Sequence, residues 1–366
     1  MSVKEWLDRF GGRWLEADGN ESDIVMSSRV RVARNLEDMA FPMLLPERDQ
    51  AALRERVEQT AQGARAQAVT AFEVLRMAEL SPIQKQVLVE GHLISPALTD
   101  SAGGAVLVGA DKQVSVLVNE EDHLRIQCLL PGFDLESARK LTEAVDDAFE
   151  QELDFAFDER LGYLTACPTN VGTGMRASVM LHLPALVLTG QIGRILSAVA
   201  HVGLTVRGIY GEGSDALGNL FQVSNQMTLG HSEEEIVAHL QGVVRQLIEQ
   251  ERAARAHIMQ HDAVSLEDRV CRSFGILAFA RQIDSREALS RLSDVRLGID
   301  MDIIKGVSPG ALKQLLVATQ PGFLQTHYGQ EMSPAMRDVH RASLIRERLR
   351  TDGQPGGRTR GDGHVV

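Results

Sequence analysis

The first two thirds of the chain mix two patterns of apolar and polar positions. Short runs rich in β-branched residues predict strands at 105–108, 114–118, 204–209 and 220–223. Apolar residues at three- and four-residue spacing predict amphipathic helices at 135–153 and 232–252. The mixture predicts an α+β domain whose strands are mostly linked by turns.

The last third of the chain changes to a nearly continuous helical pattern. We therefore expect a short lead at 1–22, an α+β domain at 23–253 and a separate all-helical domain at 254–350. The segment 351–366 is rich in glycine and lacks apolar anchors, so it is predicted to be a disordered tail.

Composition and charge argue against several classes of protein, namely membrane proteins, nucleic-acid-binding proteins and metal-binding proteins. The 366 residues, of which 44% are hydrophobic, suffice for a core in each domain. No apolar run approaches the roughly 18–20 residues that span a bilayer, and no signal peptide is predicted, so we expect a cytoplasmic protein without membrane contact. The formal charge of −12 argues against direct nucleic-acid binding and favours cationic partners. Three widely spaced cysteines form no metal-binding pair, so no protein metal site is expected.

Two arginines in the string SSRVRVAR are the first candidate binding residues. Arg29 and Arg31 are two apart in an extended run, so both side chains leave the same face of a strand. Two guanidinium groups on one face suit a polyphosphate, because each can donate paired hydrogen bonds. A solvated edge strand is the alternative.

An acidic cluster follows the predicted strand at 114–118. Glu120, Glu121 and Asp122 stand together in NEEDHLR, with Arg125 close by. Three acids at a strand end are costly unless they bind a cation, so a binding site is one interpretation and a polar turn is the other.

A turn rich in glycine begins at Cys167 in CPTNVGTGMRA. Gly172 and Gly174 permit positive φ and close approach to a ligand, and Arg176 follows them. A turn without function is the alternative, although the string is more specific than a lone glycine motif.

A second glycine-rich segment, RGIYGEG, carries Arg207 and Glu212 after a predicted strand. Such a loop could close over a substrate and exclude water. A mobile surface loop explains it equally well.

These strings, in this order over about residues 22–250, resemble the phosphagen (guanidino) kinases, the family of arginine and creatine kinases. The resemblance implies an antiparallel sheet flanked by helices, and ATP with Mg²⁺ carried by the nucleotide. It implies that Arg29, Arg31, Arg125, Arg176 and Arg207 bind the phosphates. It also implies that His92 lies against the adenine.

The resemblance also assigns the nucleotide pocket and the catalytic residues. The implied pocket comprises Ser27, Ser28, Arg29, Val30 and Arg31, then Arg176, Ala177, Ser178, Val179 and Met180, then Arg207, Gly208, Ile209, Tyr210, Gly211 and Glu212. Glu121 and Glu212 would hold the acceptor guanidinium, with Cys167 beside it. The glutamate at 212 is typical of arginine kinases and not of creatine kinases.

The required chemistry fits those assignments. A guanidinium is protonated at neutral pH, so phosphorylation must orient it and remove a proton, which two carboxylates can do. Transfer of a γ-phosphoryl group mostly needs positioning and neutralised charge, which arginines and Mg²⁺ supply. Only 26 residues precede SSRVR, where small-molecule guanidino kinases carry a helical domain, so the acceptor site is expected to admit an arginine still attached to a protein.

A charged motif lies in the predicted helical domain, in RDVHRASLIRERLR. Arg337 and Arg341 are four apart on a helix, and Asp338 lies three before Arg341. Two cations and an acid match a phosphorylated arginine. A salt-bridged surface helix is the alternative.

With this motif the whole chain resembles the bacterial protein-arginine kinases of the McsB type. That resemblance implies a phosphoarginine-binding allosteric site formed by Arg337, Asp338, Val339, His340, Arg341 and Ala342. It also implies a homodimer formed through the helical domain, a small zinc-binding activator, and substrates that include misfolded proteins and a stress-response repressor, marked for a Clp protease. The alternatives are a small-molecule arginine kinase without its N-terminal domain and a phosphoarginine-binding adaptor.

Overall fold

The computed structural model describes residues 12–15, 19–208 and 216–352. Ten strands lie in these ranges: β1 Val25–Arg34, β2 Phe72–Arg76, β3 Ala105–Gly109, β4 Val114–Val118, β5 Leu124–Pro131, β6 Phe157–Asp158, β7 Gly162–Tyr163, β8 Met175–His182, β9 Leu204–Gly208 and β10 Leu220–Asn225.

The same ranges contain twelve α-helices. They are α1 Glu47–Gln62, α2 Ala64–Val69, α3 Pro82–Glu90, α4 Leu135–Glu150, α5 Pro184–Leu188, α6 Ile192–His201, α7 Glu233–His261, α8 Ala263–Phe279, α9 Ser285–Asp300, α10 Pro309–Ala318, α11 Pro321–Tyr328 and α12 Pro334–Asp352. Helix α12 therefore extends two residues into the segment predicted as a tail. None of the helices described is long and apolar enough to cross a membrane.

One eight-stranded sheet organises the first domain. Its strand order is β2-β3-β4-β5-β1-β8-β10-β9, and every neighbouring pair is antiparallel. The predicted fold, an antiparallel sheet with flanking helices, is confirmed. The four predicted strands and both predicted helices are present. The strand at 114–118 has the predicted bounds, the one predicted at 204–209 is described as far as Gly208, and the remaining elements end at different residues.

The two faces of the sheet differ in chemistry because side chains alternate along each strand. On β1, Val30 and Val32 enter the main apolar core, whereas Arg29 and Arg31 leave the opposite face. Helices α4 and α7 cover the apolar face, and Phe149 of α4 is fully buried there. Burial of each such large side chain contributes about 1.5–3 kcal/mol, which fixes the register and therefore the position of the arginines.

Helix α7 connects the sheet to the helical domain. It runs without a break past the predicted boundary at 253/254, because its periodicity continues while its packing partners change. Ala254 still belongs to the core of the sheet domain, and Leu266 belongs to a second core built from helices.

A smaller apolar cluster joins the two domains. Met180 of the sheet packs in it with Val317 and Phe323 of the helical domain. Beside it, the carboxylate of Glu90, at the end of α3, accepts hydrogen bonds from the backbone N–H groups of Gly322 and Phe323 at 2.8 and 2.9 Å. Glu90 thus caps the first turn of α11 from the other domain.

Candidate active site

The register of the sheet brings the five predicted arginines to one face. Arg31 of β1 lies opposite Arg176 of β8, and Arg125 of β5 lies opposite Ala33. On the far side, Arg207 of β9 pairs with Gln222 of β10. We call this surface the arginine face.

A cleft of about 430 Å³ lies over the arginine face. Its lining comprises Arg29, Arg31, Val32, Ala33, Glu121, Arg125, Cys167, Thr169, Asn170, Gly174, Arg176, Arg207 and Gln222. The structure therefore brings together all five arginines, Glu121 and Cys167. Glu212, Ile209, Tyr210 and Gly211 lie outside the described residues, and Gly208 ends β9.

Burial and mutual repulsion disfavour the charged forms of the arginines on the arginine face. The pKa of Arg29 is lowered to about 10, first by burial and then by Arg125 and Arg176. Burial, Arg29, Arg125 and Arg176 lower the pKa of Arg31 well below its usual range, although Glu120 opposes them. The pKa of Arg176 is also lowered, chiefly by burial and then by Arg207. A bound polyanion would relieve this repulsion.

Much of the hydrogen-bonding capacity on the arginine face remains unused. Arg29 donates to Gln222 Oε1 at 2.7 Å and approaches the hydroxyl of Ser178 at 3.5 Å. The Nε groups of Arg31 and Arg176 are buried and have no hydrogen-bond partner among the residues that the structure describes. Buried donors without partners are costly, so these groups are suited to donate to an oxyanion ligand.

The neighbouring acids of the NEEDHLR string have different environments. The Glu120 side chain is 3% exposed, lies 2.6 Å from Arg125 and accepts a hydrogen bond from Ser95. The Glu121 side chain is 46% exposed, lies 3.1 Å from Arg125 Nη2 and lines the cleft. Glu120 therefore holds Arg125, whereas Glu121 can also contact a ligand.

The third acid of that string is structural. Asp122 Oδ1 accepts hydrogen bonds from Asn35 Nδ2 and from the backbone N–H of Ala166, both at 2.7 Å. This link places the residue before Cys167 against the acidic turn. The cationic partner predicted for the cluster is thus supplied largely by Arg125, whereas Asp122 Oδ1 is bound by neutral donors and the buried Oδ2 has no hydrogen-bond partner among the described residues.

The loop that carries Cys167 is held from two sides. Thr228 Oγ1 donates to the carbonyls of Thr169 and Val171 at 3.0 and 2.7 Å. Arg34, buried below the loop, donates to the carbonyl of Thr173 at 2.9 Å. Gly174 has φ +66°, and a methyl group there would lie 2.6 Å from Arg34 Nη1, so only glycine fits.

Arg34 is itself fixed by a buried ion pair. Its Nη2 lies 2.5 Å from Asp146 of α4, and its guanidinium carbon lies 3.5 Å from the centroid of the Tyr163 ring. The anchor therefore connects the core helix to the loop at the edge of the cleft.

His92 is next to the arginine face rather than in the lining of the cleft. Its backbone has φ +60°, and its ring packs edge-on against Trp14 at 5.1 Å between centroids. Burial, with a smaller effect of Arg29, lowers the pKa of His92 to about 3, so the ring is neutral at physiological pH.

The register divides the remaining predicted pocket residues. Ser178 and Met180 alternate with residues that face the core, and Val30, Ala177 and Val179 are fully buried there. Ser28 is also buried and donates to the carbonyl of Gly132 at 2.9 Å, whereas Ser27 lies two residues before Arg29 on the same strand face. Residues whose side chains point into the core can offer only their backbone atoms to a nucleotide.

Sequence reasoning missed three polar residues that line the cleft, namely Thr169, Asn170 and Gln222. Alternation along β10 could have identified Gln222, because it is two residues before Ser224 and both side chains lie on the arginine face. Thr169 and Asn170 lie in the CPTN turn, whose conformation alternation does not predict.

In the helical domain, Arg341 is buried within α12. Its Nε donates to the carbonyl of Thr319 and its Nη1 to the carbonyl of Ile283, both at 2.9 Å, and Nη1 also lies 2.6 Å from Asp338. Arg337, which is half-buried, donates to the carbonyl of Met332 at 3.0 Å.

The rest of the motif has mixed exposure. Val339 is exposed, His340 packs its ring 4.1 Å from that of Tyr328, and Ala342 is buried. The two arginines of the motif therefore share a helix face as predicted, but they differ in access.

Comparison with known proteins identifies the class. The ATP:guanido phosphotransferase C-terminal catalytic domain matches residues 53–254, which is more than half of the chain. The duplicated taurocyamine kinase of Schistosoma mansoni, solved with transition state analog components, matches 63% of this chain with a TM-score of 0.56 and 27% identity. This chain spans 33% of that longer one. The fold and the family match are those of an ATP:guanido phosphotransferase.

The family within that class follows from the remaining matches. The protein-arginine kinase McsB C-terminal domain matches residues 263–359. The protein-arginine kinase of Brevibacillus brevis is 56% identical over 351 residues, covering 96% of this chain and 98% of that protein. That of Bacillus licheniformis is 53% identical over 352 residues, covering 96% and 97%. The chain belongs to the protein-arginine kinase family, and the predicted enzyme class is confirmed.

Proposed function

We propose that the cleft binds Mg·ATP on the arginine face and an arginine side chain of a protein at Glu121. The observation that carries this proposal is the juxtaposition of crowded, incompletely paired guanidinium groups with one accessible carboxylate in the same cleft. The first feature suits a polyphosphate and the second suits a guanidinium.

In the proposed reaction the acceptor guanidinium attacks the γ-phosphorus. A bond forms between the attacking nitrogen and phosphorus, the bond from phosphorus to the β,γ-bridging oxygen breaks, and ADP leaves with that electron pair. Glu121 orients the N–H groups and takes the proton that the nitrogen loses. Glu212, outside the described residues, would supply the second carboxylate, and Cys167 would stand beside the acceptor.

On the donor side, positioning and charge neutralisation carry the rate. Arg29, Arg31, Arg125, Arg176 and Arg207 would contact the phosphates, and the nucleotide would bring Mg²⁺, which neutralises charge on the β- and γ-oxygens. The neutral ring of His92, beside Arg29, would pack against the adenine. The repulsion among the arginines would be lowest when the triphosphate is bound.

We further propose that the acceptors are misfolded proteins and a stress-response repressor, and that phosphorylation marks them for a Clp ATPase and its protease. The formal charge of −12 favours arginine-rich segments over nucleic acids. We also propose that the chain forms a homodimer through the helical domain and binds a small zinc-binding activator, as the family resemblance implies.

A phosphoarginine side chain is proposed to bind at the motif from Arg337 to Ala342. Arg337 and Asp338 are half-buried on the exposed side of α12 and could contact its phosphate and guanidinium respectively. Arg341, committed to the carbonyls of Ile283 and Thr319, would form the base of that site.

A transfer assay tests the proposed function. The purified protein is incubated with ATP, Mg²⁺ and an unfolded arginine-containing protein, with free arginine as a parallel acceptor, and acid-labile phosphate is located by mass spectrometry. We expect phosphate on protein arginines and little on free arginine. The reverse result would identify a small-molecule arginine kinase, and transfer to neither acceptor would indicate a phosphoarginine-binding adaptor or the need for the proposed activator.

A further inference from the structure

Four large apolar side chains are exposed on two segments near the cleft. They are Phe157 and Leu161, with 57% and 46% of their surface exposed, and Met227 and Leu229, with 57% and 47%. We call these four residues the apolar rim. Single exposed apolar residues are common on proteins, but these four flank one loop.

Both segments of the apolar rim contact Gly172 of that loop. The backbone N–H of Tyr163, in the hairpin that carries Phe157 and Leu161, donates to the carbonyl of Gly172 at 2.8 Å. From the other segment, Leu229 Cα would lie 2.8 Å from a methyl group placed on Gly172. The two segments therefore pack on the same turn.

The loop between them forms a wall of the cleft at the end that holds Glu121. Cys167 and Thr169 line the cleft, and the link from Asp122 to the backbone of Ala166 places this end of the loop beside the acidic turn. The apolar rim is thus continuous, through this loop, with the part of the cleft where the acceptor is proposed to bind.

From this continuity we infer that the apolar rim binds apolar side chains that flank the target arginine in an unfolded polypeptide. The inference rests on the proposed acceptor site at Glu121. A protein arginine can reach the cleft only with its neighbouring residues, and each residue of an extended segment spans about 3.3 Å, so residues a few positions away meet the rim. Folded proteins bury most of their large apolar side chains, so a kinase that binds arginine together with apolar neighbours favours unfolded chains.

Two blocked peptides test the inference. Each has one arginine in an eleven-residue segment, flanked two to four positions away by Leu and Phe in one peptide and by Ser in the other. With the wild type, KM for the apolar peptide should be about fivefold lower, as expected for partial burial of one large side chain. The variants Phe157→Ser/Leu161→Ser and Met227→Ser/Leu229→Ser should each reduce that preference and leave kcat on the Ser peptide unchanged.

A matched control is available on α8, where Val264 and Phe279 are 80% and 77% exposed in the helical domain. Val264→Ser/Phe279→Ser removes the same kinds of side chain and should retain the full preference. Equal KM values for the two peptides in the wild type, or rim variants that behave like this control, would overturn the inference.

Two further outcomes would assign the apolar rim a different role or none. If the rim variants change the subunit mass by light scattering and keep the peptide preference, the rim contacts a second copy of the chain and the inference fails. If neither peptide accepts phosphate from the wild type while free arginine does, the proposed protein acceptor site fails, and the rim has no acceptor role.

Discussion

The two adjacent glutamates of the acidic turn offer a matched pair of substitutions: one is expected to reduce turnover and the other to reduce stability. Glu121→Gln keeps the shape of an exposed side chain but removes the carboxylate that is proposed to orient and deprotonate the acceptor. Loss of a positioned general base lowers kcat by about 10²–10⁴-fold. Its ion pair with Arg125 is partly exposed and worth about 0–1 kcal/mol, so stability should hardly change.

Glu120→Gln should instead destabilise the fold. Glu120 and Arg125 have side chains that are 3% and 15% exposed, and removing one partner of a buried pair costs about 3–5 kcal/mol. Arg125 would then face Arg29, Arg31 and Arg176 without its main counter-charge.

Three measurements on the same preparations separate the two effects. Phosphotransfer to an arginine peptide gives kcat, calorimetric titration with ATP gives nucleotide affinity, and urea unfolding gives stability. We expect Glu121→Gln to lose kcat while its ATP affinity stays within about twofold and its unfolding midpoint is unchanged. Turnover of Glu121→Gln at the wild-type rate, or equal loss of stability in both variants, would refute the distinction between the two roles.

Three further substitutions test other parts of the structure. Arg34→Ala removes one partner of the buried ion pair with Asp146 and the donor to the loop of the cleft, so urea unfolding should show a loss of about 3–5 kcal/mol, and an unchanged midpoint would refute the anchor. Burial raises the pKa of Glu90 from 4.5 to about 7, so its contribution to stability is present below pH 4.5 and is lost as pH rises through about 7. The free energy of unfolding, measured from pH 5 to 8, should therefore fall less steeply with rising pH in Glu90→Gln than in the wild type. Identical slopes in the two proteins would contradict this. Arg337→Ala or Asp338→Ala should weaken activation by phosphoarginine proteins, and a wild-type response in both would exclude a regulatory site there.

Some of the site could be predicted from spacing alone. The two-residue separation of Arg29 and Arg31 sets them on one strand face, and the structure confirms it. Arg176 and Arg125 lie beside them because of the strand order and register of the sheet. Alternation along a single strand does not predict either. From the sequence, only the family resemblance predicts that these residues share one site.

Other features depend on packing that sequence patterns do not show. Glu120 and Glu121 are identical in type and adjacent, yet one is buried against Arg125 and the other faces the cleft. Arg341 looks like a surface residue on a charged helix but is 1% exposed, because Ile283 and Thr319 present carbonyls to it. Likewise, α7 passes the expected domain boundary because its apolar periodicity is the same on both sides.

The central claim is that one cleft holds the triphosphate on the arginine face and the acceptor guanidinium on Glu121. A crystal structure with Mg·ADP, nitrate as a planar mimic of the transferring phosphoryl group, and a blocked arginine peptide tests it most directly. We predict that nitrate lies within about 3 Å of guanidinium groups of the arginine face and that the peptide guanidinium is bound by Glu121. Nucleotide bound elsewhere, or a peptide arginine away from Glu121, would contradict the claim.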